Sequence, residues 1–167
     1  VCGDSTNEYL VGPYADLTNA DLSYLDLSYL DLTGADLTGA DLTGARLTGA
    51  TLTGVKGRLA GCPNQLPGDW VCVGSTDNYL VGLGADLTGA DLGGLDLTGA
   101  TLTRVKGKLS SCPAALPGGW VCGDSTNEYL VGPYADLTGA HLSGADLTDA
   151  DLTMVRGKLS SCPASDM

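Results

Sequence analysis

The sequence predicts an all-β solenoid, and three observations carry that reading. From Ala15 to Gly54, eight consecutive pentads place Leu at the centre: Leu17, Leu22, Leu27, Leu32, Leu37, Leu42, Leu47 and Leu52. Four more pentads run from Ala85 to Arg104, and four from Ala135 to Met154. A strict period of five fits neither a helix, at about 3.6, nor a simple strand, at about 2. Each pentad therefore forms one side of something that coils, and stacked coils are a solenoid. The third observation is a longer repeat laid over the pentads. It opens at Val1, Val71 and Val121 with Val-Cys-x-x-Ser-Thr-x-x-Tyr-Leu-Val-Gly, and closes at Cys62-Pro63, Cys112-Pro113 and Cys162-Pro163.

Within a pentad the first residue is mostly Ala, the second Asp or Thr, the third Leu, the fourth Thr or Ser and the fifth mostly Gly. Ala alternating with Leu fills a narrow core with small and large side chains in register. Asp and Thr face water, and Gly suits a tight corner. No single coil buries its own interior, so stability comes from stacked neighbours about 4.8 Å apart.

The sixteen pentads resemble the pentapeptide-repeat family. The resemblance implies a right-handed quadrilateral parallel β-helix with about four pentads, or about twenty residues, per turn. It also implies that the first and third residues of each pentad point inward. The Leu-Pro-x-x-Trp and Tyr-Leu-Val-Gly-Pro interruptions are similar to those of secreted bacterial members. On this reading residues 1–167 form a single β-solenoid domain of three modules, 1–70, 71–120 and 121–167, with two loop excursions.

Module starts at Cys2, Cys72 and Cys122 are 70 and 50 residues apart. Both spacings become whole turns if ten residues at each joint leave the coil. Cys62 and Cys72 are ten apart, as are Cys112 and Cys122. The chain is thus expected to leave at one Cys, make a Pro/Gly-rich loop, and return at the next Cys to the same corner. That return favours the pairs Cys62–Cys72 and Cys112–Cys122, because a disulfide needs Cα atoms within about 7 Å. Cys72 and Cys112 would stand two turns apart, roughly 9.6 Å. Six reduced thiols are the alternative. Trp70 and Trp120 are expected to anchor the loops, beside Leu66 or Leu116 and Tyr79 or Tyr129. With the loops removed, about seven turns remain, roughly 35 Å at the strand spacing.

Outward residues then fall into columns. One reads Asp16, Asp36, Lys56, Asp86, Lys106, Asp136, Arg156, and Arg46 stands on Asp26. Beyond its first pair the signs alternate, which offsets repulsion between like charges. Cys2 and Cys162 share one phase of the turn, and no capping helix is apparent beyond either. Head-to-tail stacking would bring Cys162 of one copy to Cys2 of the next, with Asp16, Asp21, Asp26 and Asp31 opposite Arg156 and Lys158. Cys2 and Cys162 are therefore intermolecular contact candidates, the alternative being a piece of a longer secreted, adhesin-like array.

The net charge of −12 argues against nucleic acid as a partner. No stretch of eighteen apolar residues is present to insert into a membrane. Six cysteines in a small acidic chain point to an oxidising compartment, hence a secreted or cell-surface location. The cysteines lack zinc spacing and His141 has no ligating companion nearby, so no metal or cofactor is expected. Nor is an enzyme, because the carboxylates form exposed ladders rather than lining a pocket. The expected function is a structural rod, an extracellular fibre or scaffold subunit that polymerises with itself, with exposed Thr and Ser as candidate acceptors of O-linked glycans. The family resemblance supplies an alternative, an acidic DNA-mimicking binder of DNA gyrase.

Overall fold

A computed structural model describes residues 10–68, 70–74, 77–123 and 128–161. The chain divides into two compact units, Val1–Asp86 and Leu87–Met167. Helix is absent among the described residues, and regular structure consists of short strands and single backbone bridges.

The first unit shows why the chain counts in fives. The Ala20 N–H donates to the Leu17 carbonyl at 3.0 Å, the Ala35 N–H to that of Leu32 at 3.0 Å and the Ala40 N–H to that of Leu37 at 2.9 Å. Each such turn is a corner. Its third residue has positive φ, which Gly adopts without penalty and other residues only under strain. The second residue of each pentad bridges in parallel to a residue twenty further on: Asp16 to Asp36, Asp21 to Asp41, Asp26 to Arg46 and Asp31 to Thr51. Four consecutive pentads thus form the four sides of one coil. The Leu17 N–H donates to the Asp36 carbonyl, and the Asp36 N–H to that of Ala15, each at 2.9 Å.

The eight pentad-centre leucines of the first unit, Leu17 to Leu52, are essentially inaccessible, as are Ala35, Ala40 and Ala45, whereas Leu25 and Leu30 are only partly buried. Burying a leucine side chain contributes about 1.5–3 kcal/mol, so this column is the main stabilising element of the unit. Val11 joins the same core as Leu17, Leu22 and Leu27. The second unit repeats the pattern, with parallel bridges Asp91 to Ser111, Asp136 to Arg156 and His141 to Ser161. Its last coil differs: Leu152 is 52% exposed, and Leu137, Leu142, Leu147, Leu152, Val155 and Leu159 line an open apolar cavity of about 270 Å³.

At each joint the coil's step lengthens. Lys56 bridges to Asp86, thirty residues on instead of twenty. The ten additional residues agree with the module arithmetic, but their placement corrects the expectation that the chain rejoins the coil at the second Cys. The chain still follows the coil at Gln65, whose carbonyl accepts from the Leu47 N–H at 2.9 Å. It then turns at Pro67, whose carbonyl accepts from the Trp70 N–H at 3.1 Å. Beyond lies an antiparallel ribbon of β1 (Val71–Val73) and β2 (Tyr79–Val81), in which Cys72 faces Leu80. In the second unit β3 (Val121–Cys122) and β4 (Leu130–Val131) pair in the same register. Val, Tyr and Leu favour extended backbone, and the ribbon's backbone groups find partners in each other, so Cys72 and Cys122 belong to ribbons rather than to coil corners.

Candidate functional site

The joints bring the predicted site residues together. Cys62 and Cys72 are at disulfide distance with Cα atoms 6.0 Å apart, and Cys112 and Cys122 with Cα atoms 5.9 Å apart. Each bond ties the coil side that is ending to the first strand of the ribbon. The ribbon is fastened a second time through the basic motif that closes each module. The Leu59 N–H donates to the Asn78 carbonyl at 2.8 Å, and the Leu109 N–H to that of Glu128 at 2.7 Å. Arg58 adds an ion pair with Asp77.

Trp70 packs on the first unit's core together with Leu66 and Cys72, and Trp120 on the second unit's core with Val121 and Tyr129. Each indole lies on a glycine, Gly82 and Gly132 respectively. These glycines were not singled out from sequence. The signal was available: both end the Tyr-Leu-Val-Gly motif, at the position where the ribbon meets the coil again. Cys2 and Cys162, the intermolecular candidates, lie outside the described residues.

The charged columns are real stacks. Lys56 Nζ stands 3.0 Å from Asp36 Oδ2. Arg46 follows Asp26 in the stack, and its Nε donates to Gln65 Oε1 at 3.2 Å. Each pentad aspartate also caps its own corner. Asp31 Oδ1 accepts from the Thr33 N–H at 2.9 Å, Asp146 Oδ1 from that of Thr148 at 2.9 Å and Asp151 Oδ1 from that of Thr153 at 2.8 Å. Hydrogen bonds from the Thr side chain, then its N–H, hold Asp31, Asp146 and Asp151 below the ordinary carboxylate value. At Asp36 partial desolvation opposes this, but Thr38 and Lys56 outweigh it. The Lys56 ammonium, hydrogen-bonded to Asp36, is held above its usual value.

His141 is exposed, and its Nδ1 lies 2.6 Å from Ser161 Oγ on the next coil. Among the described residues no group of His, Cys, Asp and Glu is gathered to hold a metal ion. None of the helices needed to cross a membrane is found among them either. Chemically, the arrangement offers hydrogen-bonding ladders, a buried leucine column and two joints with cysteines at disulfide distance. The disulfide-distance pairs fit an oxidising environment.

A family model of pentapeptide repeats matches eight copies, over residues 15–54, 83–106 and 134–156, just over half of the chain. Neither the curated proteins nor the solved structures include a match.

Proposed function

The chain belongs to the pentapeptide-repeat family, whose fold is a right-handed quadrilateral β-helix, and from that premise we propose that it is a secreted, non-enzymatic scaffold subunit of a cell surface that stacks head to tail. The coarser part of this reading, a repeat-protein scaffold, follows from the fold. The finer part rests on one observation: two joints, built alike, each close a ribbon with a disulfide-distance pair. Such joints keep a stacked coil covalently tied where its regular step is interrupted, which serves a structural element outside the reducing cytosol. The organisation of modules 1–70, 71–120 and 121–167 as one domain is part of the same proposal. So is the self-contact between Cys162 of one copy and Cys2 of the next, with exposed Thr and Ser available to O-glycans.

Disulfide mapping by mass spectrometry on unreduced native material tests it. The expected result is closed Cys62–Cys72 and Cys112–Cys122 loops, and a Cys2–Cys162 peptide found in a ladder of covalent multimers. A reduced monomer overturns both secretion and assembly, and closed loops without the crosslinked peptide overturn the assembly. The gyrase-binding alternative has less support, because Arg46, Lys56 and Arg58 interrupt the acidic face of the first unit. A supercoiling assay that shows inhibition at micromolar protein would reinstate it.

A further inference from the structure

The first described coil has no glycine at any of its corners, whereas later coils carry individual exceptions such as Arg104, Tyr134, Asp149 and Met154. The next coil has Gly34, Gly39, Gly44 and Gly49 there, with φ between 69° and 74°. The first coil instead has Tyr14, Asn19, Tyr24 and Tyr29, with φ of 57°, 57°, 58° and 61°. A tyrosine in this conformation is strained where glycine is not. The strain is accepted three times in one coil, so the rings themselves must matter.

Their setting is specific. Each ring lies over the glycine of the coil beside it. A Cβ on Gly34 would stand 2.6 Å from Tyr14 Cδ1, one on Gly44 2.5 Å from Tyr24 Cδ1, and one on Gly49 2.7 Å from Tyr29 Cδ1. One face is thus fixed against backbone, yet Tyr14, Tyr24 and Tyr29 remain 78%, 78% and 80% exposed. Flat aromatic faces are held open to water at three corners of a coil whose other exposed residues are Leu10, Pro13, Thr18, Asn19 and a run of Asp.

We propose that these tyrosines are stacking platforms for a neutral polysaccharide. A pyranose presents an apolar face of C–H groups about as large as one aromatic ring, and its hydroxyls around the rim donate to carboxylates. The coil supplies both parts, with Asp16, Asp26 and Asp31 each two residues on from a ring and each carboxylate able to accept several hydrogen bonds. Two other partners fit less well. Lys and Arg are absent from residues 10–45 while Asp16, Asp21, Asp26, Asp31, Asp36 and Asp41 are present, so an anionic polymer is repelled. The rings stand singly on separate corners, whereas a protein interface has a contiguous apolar centre. Three platforms facing different directions engage different strands of a glycan mesh, which gives avidity without a deep site. The proposal is independent of any contact between Cys2 and Cys162.

The test is co-sedimentation of the full chain, disulfides intact, with insoluble cellulose and with insoluble chitin at physiological salt. The key variant is Tyr14→Gly/Tyr24→Gly/Tyr29→Gly, which restores the residue most corners use and relieves the backbone. The proposal expects the natural chain to be retained by at least one polymer and the triple variant to bind at least tenfold more weakly, with its circular dichroism unchanged. The triple Phe variant, with its rings intact, is expected to stay within about threefold of the natural chain. If the triple Gly variant does not fold, the single Tyr24→Gly chain is read against Tyr24→Phe in the same way. Lack of retention by both polymers overturns the proposal, as does equal retention of the Gly variant. So does retention that added salt or polylysine abolishes, which would assign the rings to a basic partner. Loss of self-association in the Gly variant without any polysaccharide binding would assign them to contact between copies.

Discussion

Trp70 occupies the space that a side chain at Gly82 would need: a Cβ there would stand 2.6 Å from Trp70 Cγ, and one on Gly132 would stand equally close to Trp120 Cγ. Glycine is thus the seat of each indole, where the ribbon rejoins the coil. Gly82→Ala is expected to lift Trp70 off the core and to destabilise the protein by about 1–3 kcal/mol. Urea unfolding followed by Trp fluorescence measures this. Gly118→Ala, where an added Cβ meets nothing within 4 Å, is expected to leave the midpoint within about 0.5 kcal/mol.

A second pair of glycines separates conformational strain from steric conflict. Gly57 has φ of 106°, and a Cβ on it would stand 2.5 Å from the Thr38 backbone nitrogen. Gly89 has φ of 74° and open space around it. Gly89→Ala should lose about 1–2 kcal/mol, the difference an alanine meets in left-handed backbone. Gly57→Ala should lose distinctly more, because a neighbouring strand cannot yield as a flexible side chain does. Thermal unfolding of the two variants side by side decides it, and equal losses would refute the steric account.

Closing the ten-residue separation between Cys62 and Cys72 restricts the unfolded chain by about 3 kcal/mol on the loop-entropy account. The Cys62→Ser/Cys72→Ser double variant is therefore expected to unfold at a lower denaturant concentration by about that free energy. Exposure of the ribbon to limited proteolysis should rise at the same time. An unchanged midpoint would mean that the pairing of β1 with β2, the Leu59–Asn78 hydrogen bond, the Arg58–Asp77 ion pair and the Trp70 contact hold the ribbon without the disulfide.

Acid should loosen the fold before it affects the core. Asp31, Asp146 and Asp151 have folded-state values lowered from 3.8 by hydrogen bonds from the Thr side chain, then the backbone, two residues on. A carboxylate whose value is lowered on folding contributes stability that is fully present above its unfolded value and disappears as pH falls through the folded one. Stability should therefore be level from neutral pH down to about 5 and fall steadily below about 4. Melting temperature against pH measures it, and a curve flat to pH 2 would show that the corner caps contribute nothing.

Leu42 and Leu152 occupy the same place in their pentads and differ only in coverage, one fully buried and the other half exposed. Leu42→Ala is expected to lose about 2–5 kcal/mol, and Leu152→Ala less than half as much, by equilibrium unfolding.

The coil was legible in the sequence because every side uses the same few residues. Leu at each centre, Ala at most starts and Asp at most bridges repeat often enough for the five-residue period to fix inside and outside. The Asp36–Lys56 and Asp26–Arg46 stacks follow from counting by twenty. The ribbon was not legible in full. Val71–Val73 and Tyr79–Val81 are too short to declare strands on their own, and the cysteine spacing is met equally by a loop and by a ribbon that begins at the second cysteine. The seats of Trp70 and Trp120 were hidden because glycine is common here, and only contact separates one that receives an indole from one that turns a corner.

Near-identical pentads carry a hazard that the ribbons answer. Sides reading Ala-Asp-Leu-Thr-Gly are interchangeable, so residues 35–44 slipped by five would bury the same kinds of side chain. Little in such a stretch chooses the alignment beyond individual pairs such as Lys56 and Asp36. The ribbon following Cys62 cannot slide with it, since Trp70 fits only over Gly82 and Cys72 reaches only Cys62. It acts as an index mark on an otherwise uniform tape, and one such mark at each joint confines misalignment to the few coils between marks.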